Sequence, residues 1–191
     1  MASKIDQNIH LIFDRDGTLI EDRHYLSEPA QISILPDVIW GLQALKNAGF
    51  HLYIHSNQSG VSRGYFSKEQ ANICMSAFLE ILGVNKDFFN KICISYGIDH
   101  KTDIYRKPSP FFANQIMKRN KCELSSIYYI GDRITDLQTA YNSGCLGLGV
   151  NTGPIELKEV IDKCPNLKNF PIFNSFREVV EHLLNIKCLI K

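Results

Sequence analysis

Ile9-His10-Leu11-Ile12-Phe13-Asp14-Arg15-Asp16-Gly17-Thr18 is a short apolar run that stops at two aspartates and a glycine. A run of this length suits a strand buried on both faces of a parallel sheet. An extended backbone that ends in Asp-x-Asp points both carboxylates to the same side. Four more runs of the same kind lie downstream, at 50–54, 92–95, 127–130 and 146–150. Amphipathic stretches lie between them. Residues 37–47 run to a stop at Gly49, and Ser67 opens a capping-box spacing with Gln70 before an apolar stripe that reaches Leu82. Ser109-Pro110 reads as N-cap and first residue of a helix to about residue 119. Residues 133–142 end at Gly144, and 175–185 form a last helix after a weak strand near 171–173. Strand and helix in alternation predict an α/β, Rossmann-like parallel sheet flanked by helices. One domain over residues 1–191 is expected, with 151–169 as its least regular part, a surface excursion.

Composition narrows the classes. The chain has 191 residues, 45% hydrophobic and 21% charged, enough for a core without disulfides or metals. Lys and Arg number 21 and Asp and Glu 20, and a net charge of +1 argues against a nucleic-acid partner. No apolar run approaches the roughly 18 residues of a membrane span, and the N-terminal sequence lacks a signal-peptide core, so a soluble, cytoplasmic protein is expected. The six cysteines have no C-x-x-C pair and no Cys-His cluster. They read as reduced, mostly buried thiols.

In open α/β sheets ligands bind beyond the carboxyl ends of the strands. The segments at those ends are polar: Asp14 to Thr18; Ser56, Asn57, Gln58, Ser59 and Gly60; Arg106-Lys107-Pro108; and Gly131-Asp132-Arg133 with Asp136. Two carboxylates as close as Asp14 and Asp16 repel unless a cation or a shared proton relieves them. With Asp132 and Asp136 they form an oxygen-only set that suits Mg²⁺. Ser56, Asn57 and Lys107 offer a hydroxyl, amides and a point charge to phosphate oxygens. Anions brought to an acidic, Mg²⁺-bearing site point to phosphoryl transfer, one Asp attacking phosphorus and the other handling the leaving-group proton. Taken singly, each piece also reads as turn, cap or solvated surface. Together, after four strands in one order, they read as a site.

These four segments resemble the motifs of the haloacid dehalogenase superfamily of phosphatases. With Tyr25, Arg63 and Gly64 they are similar to the D-glycero-D-manno-heptose 1,7-bisphosphate phosphatases and the neighbouring histidinol-phosphate phosphatases, over roughly residues 9–153. The resemblance implies Asp14 as nucleophile and Asp16 as general acid/base. It implies Mg²⁺ on Asp14, the backbone carbonyl of Asp16 and Asp132, with Asp136 behind them. It places Ser56 and Lys107 on the phosphate, beside Asn57, Gln58 and Ser59. Asp22, Arg23, His24, Tyr25, Arg63, Arg106 and Arg133 then face the rest of the substrate.

Two departures stand out. Typical members carry a Cys/His zinc loop before Arg-Lys-Pro, whereas residues 94–105 contain His100 and no cysteine, which argues against a structural zinc. A Lys is also typical where Arg133 stands. The spacings of 42, 51 and 25 residues between Asp14, Ser56, Lys107 and Asp132 leave no room for a cap domain. A capless site suggests a large substrate or closure by a second copy in a homo-oligomer. Arg15, Arg23, His24, Arg63, Lys101, Arg106, Lys107 and Arg133 form a basic ring of loops around the site. They either neutralise the acids or bind a second anion, which favours a sugar bisphosphate. Histidinol phosphate, another small phosphorylated metabolite, a 3′-phosphorylated nucleic-acid end and a catalytically idle phosphate-binding module remain as alternatives.

Overall fold

The computed structural model describes residues 8–190 except 86 and 100, so His100 lies outside the described residues. Six strands form one sheet: β1 (His10–Phe13), β2 (His51–Asn57), β3 (Lys91–Ser95), β4 (Ile127–Gly131), β5 (Leu146–Val150) and β6 (Ile172–Phe173). All pairings are parallel, in the order β3-β2-β1-β4-β5-β6. The helices are α1 (Val38–Asn47), α2 (Lys68–Ile81), α3 (Phe111–Asn120), α4 (Ile134–Ser143), α5 (Leu157–Ile161) and α6 (Phe176–Ile190). No domain is inserted between the described strands.

Strand alternation explains the layers. Leu11 and Phe13 point into a cluster with Leu42 of α1, Phe78 of α2 and Val179 of α6. Ile12, between them, points the other way, to Phe112 of α3 and Ala140 of α4. Both faces are therefore covered, as the continuous apolar runs require.

The element ends depart from the expectations in informative ways. β2 runs to Asn57 because Ser56 and Asn57 pair with Ile94 and Ser95 of β3, a backbone ladder indifferent to their polar side chains. Asp37, read as helical, stands at the N-cap of α1 with a left-handed backbone and no side-chain capping bond; its carboxylate takes a two-pronged contact from Arg177 at 2.6 and 3.2 Å. Pro110 precedes α3 as N-cap instead of opening it, and Ser109 Oγ accepts the Phe111 N–H at 3.3 Å. Residues 151–169 are more than an excursion. Leu157, Ile161 and Leu167 bury themselves against Leu137 of α4 as a small third cluster. Cys74, Cys93 and Cys145 are buried free thiols, and burial pushes Cys93 and Cys145 up to about 12; Cys188 is exposed. Among the described residues no helix is long and apolar enough to cross a membrane.

The capping box at Ser67 is fully formed. Its hydroxyl accepts from Gln70 N at 3.1 Å and its N–H donates to Gln70 Oε1 at 2.8 Å. Replacing Ser67 by Ala should lower stability by about 1 kcal/mol, read by chemical denaturation, and leave the sheet-edge chemistry untouched.

Candidate active site

The chain winds from β1 outward to β3, then returns to the other side of β1 for β4, β5 and β6. The reversal lies between β1 and β4, the place where an open α/β sheet forms a crevice. Register brings the two strand ends level: Phe13 faces Ile130, and Asp14 N donates to Ile130 O at 2.9 Å. Asp14 and Asp132 therefore leave the sheet side by side. Their ligand atoms and one of Asp136 lie within 4.8 Å of one another, all three residues buried. The backbone comes close around Asp132. Gly17 has φ +80°, and a Cβ there would stand 2.3 Å from Asp132 Oδ2; a Cβ on Gly153 would stand 1.9 Å from it. Thr152 Oγ1 donates to Gly17 O at 2.6 Å and ties the two loops together.

Lys107 supplies the counter-charge. Its Nζ is 2.9 Å from Asp14 Oδ1 and 2.6 Å from Asp136 Oδ1, and it is buried. Asp136 Oδ2 accepts from Arg133 N at 3.1 Å, so both its oxygens are engaged, and it faces Lys107 from behind. Burial works against the ammonium, but Asp136 and Asp14 outweigh it and hold Lys107 above its ordinary range. Burial, then the neighbouring carboxylates, pushes Asp14 up to about 7, with Lys107 opposing. The same causes, burial first and Asp14 and Asp136 next, push Asp132 up to about 8. Thr18 Oγ1 donates to Asp132 Oδ1 at 3.3 Å, while Oδ2 is buried with no hydrogen-bond partner.

A cavity of about 400 Å³ opens over this cluster. Asp14, Asp16, Asp22, His24, Tyr25, Asn57, Gln58, Ser59, Arg106, Lys107, Asp132 and Arg133 line it. Ser56 lies fully buried outside this lining, its hydroxyl directed to Asp16 Oδ2 at 3.3 Å. Asn57 clasps the backbone of Lys107, donating to its carbonyl at 3.2 Å and accepting its N–H at 3.1 Å. Arg23 is exposed and pairs with Glu21; Arg63 and Lys101 are also exposed and are not among the lining residues. Arg15 does not join a basic ring. It is only 1% exposed and directs its guanidinium to Asp16. Arg133 pairs with the buried carboxylate of Asp22. Arg106 Nη1 donates to Gly97 O at 2.8 Å; burial first, then nearby Arg63, holds Arg106 below its ordinary range.

Three features of the site go beyond the sequence motifs. His55 is fully buried, and burial, then Lys107, pushes it down to about 3, so the ring is neutral. A carbonyl only accepts, so His55 Nε2 donates to Tyr105 O at 2.6 Å, and Nδ1 accepts from Tyr129 OH at 2.7 Å. This strut joins β4, β2 and the lysine loop. Asp103 organises the loop that follows β3. It accepts from Ser95 Oγ, Tyr96 N, Gly97 N and Tyr105 N at 2.8–3.1 Å, and these bonds outweigh burial to hold its carboxyl low. Ile155, Leu157 and Val160 give the cavity an apolar wall from the irregular segment.

A profile of the polynucleotide kinase 3 phosphatase family matches residues 10–143. The chain belongs to this family. Among curated proteins, the histidine-biosynthesis bifunctional protein HisB of Baumannia cicadellinicola is 28% identical over 163 residues, 84% of this chain; the chain spans only 46% of that protein. The probable D-glycero-D-manno-heptose-1,7-bisphosphate 7-phosphatase of Thermoplasma volcanium is 34% identical over 128 residues, 64% of this chain and 84% of the relative. The solved D,D-heptose 1,7-bisphosphate phosphatase from B. bronchiseptica, complexed with magnesium and phosphate, shares the fold with a TM-score of 0.81 at 24% identity. That match covers 93% of this chain and 98% of the other. The parallel sheet with its flanking helices is the haloacid-dehalogenase fold.

The acid cluster makes metal-free stability depend on pH. Asp14 and Asp132 hold protons in the folded chain, up to about 7 and 8, that the unfolded chain releases near 3.8. Above about pH 6.5, where the neutral His10 and His55 no longer offset these two protons, the folded protein binds more protons than the unfolded chain, and its stability falls as pH rises towards about 8. In chelator the melting temperature should drop between about pH 6.5 and pH 8, and added divalent cation should restore most of it at the alkaline end. A melting temperature flat across this window would show that the cluster carries no such protons.

Proposed function

We propose that the chain is a Mg²⁺-dependent phosphomonoester hydrolase that works as a single capless domain through an aspartyl-phosphate on Asp14. Its substrate in this reading is a small phosphorylated sugar, best D-glycero-D-manno-heptose 1,7-bisphosphate. The observation that carries the reading is the buried set Asp14, Asp132 and Asp136 with one ammonium among them, at the crevice where β1 and β4 diverge. The donors suit Mg²⁺: all are oxygens, and Asp132 Oδ2 is buried with no hydrogen bond, its nearest cation Arg133 Nε at 3.9 Å. Asp14, the Asp16 carbonyl and Asp132 would hold the ion, which supplies charge neutralisation at the transferring phosphoryl group.

The chain's own residues divide the remaining work. Asp14 offers its carboxylate to phosphorus at the floor of the cavity. Lys107, fixed by Asp136 and by the Asn57 clasp, neutralises charge that develops on the phosphoryl oxygens. Asp16 gives its proton to the leaving oxygen and later takes one from water. With Arg133 paired to Asp22, a second anionic group of the substrate meets Arg106, which lines the cavity with Arg63 close by. Likeness to heptose bisphosphate phosphatases supports the sugar. Likeness to histidine-biosynthesis proteins favours a second reading, histidinol phosphate, whose cationic far end gains nothing from Arg106.

Asp14→Asn should abolish Mg²⁺-dependent turnover while the protein stays folded, because an amide cannot form the phospho-intermediate. Activity retained in that variant would remove the covalent mechanism. A second comparison separates the two substrate readings. Arg106→Ala should lower kcat/KM by about 10- to 100-fold for a sugar bisphosphate and much less for the matching monophosphate. Lys107→Ala should damage both alike, since every substrate presents the transferring group. Equal losses for Arg106→Ala on the two sugars would favour histidinol phosphate.

A further inference from the structure

Arg15 lies between the two aspartates of the first motif, yet it takes no part in the cavity lining. It is the largest fully buried side chain among the described residues, at 1% exposure. The next turn of the chain pins its backbone, since Arg15 O accepts the N–H groups of Thr18, Leu19 and Ile20 at 2.9–3.3 Å. Its guanidinium forks onto the neighbouring carboxylate: Nε donates to Asp16 Oδ2 at 3.1 Å and Nη2 to Asp16 Oδ1 at 2.9 Å. Nη1 is buried without a partner, so the fork on Asp16 is what holds this guanidinium in place.

The donors around Asp16 are unevenly shared. Oδ2 also accepts from Gln58 Nε2 at 2.8 Å and from Ser56 Oγ at 3.3 Å, three donors in all. Oδ1 has one. A carboxylate oxygen offers about two lone-pair sites, so Oδ2 is filled and Oδ1 keeps a free site. Asp16 itself lines the cavity, its side chain 22% exposed.

We propose that Arg15 is a positioning residue for proton transfer, locking the Asp16 carboxyl so that Oδ1 is the atom presented to the leaving-group oxygen. This rests on the phosphatase reading. In the first step an Asp14 oxygen bonds to phosphorus, the ester P–O bond breaks, and the proton on Asp16 Oδ1 passes to the departing oxygen. The Arg15 backbone N–H donates to Asp14 Oδ1 at 2.7 Å, a bond no side-chain change removes, whereas its side chain touches neither substrate nor phosphorus and acts through Asp16. A lysine could not substitute for it, because an ammonium lacks the planar fork that meets both oxygens at once.

The test uses leaving groups that differ in their need for that proton. Phenyl phosphate has a poor leaving group and 4-nitrophenyl phosphate a good one, and the two are almost the same shape. kcat/KM reports the step in which the ester bond breaks, so hydrolysis of the intermediate does not obscure the comparison. With Mg²⁺ present, Arg15→Met should lower kcat/KM about 10- to 100-fold for phenyl phosphate and less than about threefold for 4-nitrophenyl phosphate. Arg15→Lys should fall between wild type and Arg15→Met. In an Asp16→Asn background, Arg15→Met should not change the ratio of the two substrates further, since the two residues act as one unit. Equal losses on both substrates, with wild type active, would mean a merely structural ion pair and would overturn the inference alone. If Arg15→Met fails to fold, Arg15→Lys decides: an unchanged substrate ratio overturns the proposal. A wild-type chain inert toward both esters would instead overturn the phosphatase reading on which it rests.

Discussion

The ammonium of Lys107 sits between Asp14 and Asp136, and Asp132 completes three buried carboxylates with this one cation placed among them. Removing such charges from water costs several kcal/mol per ion unless close partners compensate, and here the partners arrive from four separate segments. β1 brings Asp14, β4 and α4 bring Asp132 and Asp136, and the loop after β3 brings the lysine. Much of the local architecture serves to hold that lysine. Asn57 at the end of β2 binds its backbone on both sides, and the neutral His55 donates to the carbonyl two residues before it. The cluster remains short of positive charge even so, and that shortage adds to burial, the larger cause, in holding Asp14 and Asp132 above the usual carboxylate range. A divalent cation at that point would resolve the deficit.

Asp14 and Asp132 are legible in the sequence because each comes after an uninterrupted apolar run, and the rule for open parallel sheets assigns such residues to one edge. Lys107 is legible by its position after the third strand, although its burial is not. Arg15 misleads for a physical reason. A cation in a loop beside two acids can neutralise them or face a second anion, and only the packing of the completed fold shows that Arg15 is buried on Asp16. The hydrogen bond between His55 and Tyr129 joins residues 74 apart in sequence, through side chains that each read as ordinary strand positions. Asp103 is silent in the sequence because its four partners are mainly backbone N–H groups, which leave no trace in residue type. The polar end of β2 reads as loop because hydropathy says nothing of ladder bonds.

Fixed and looser groups occupy different parts of the sheet edge. The groups at the floor of the cavity are buried and joined to one another through backbone or side-chain hydrogen bonds. The outer groups are looser: His24 and Tyr25 are exposed, Arg106 is half-buried, and Arg133 is shared with Asp22. Such an arrangement combines a fixed floor with a looser rim.

The family profile ends at residue 143, inside the last turn of α4, and every motif residue lies before that point. The wall around Asp132 does not. Gly153 closes on its carboxylate, Thr152 bonds to the turn just past Asp16, and Leu157 and Val160 line the cavity. The structural unit that encloses the acid cluster is thus larger than the region recognisable by sequence. An excised fragment that stopped at the recognisable boundary would keep the acids and the lysine and leave behind the segment that closes over them.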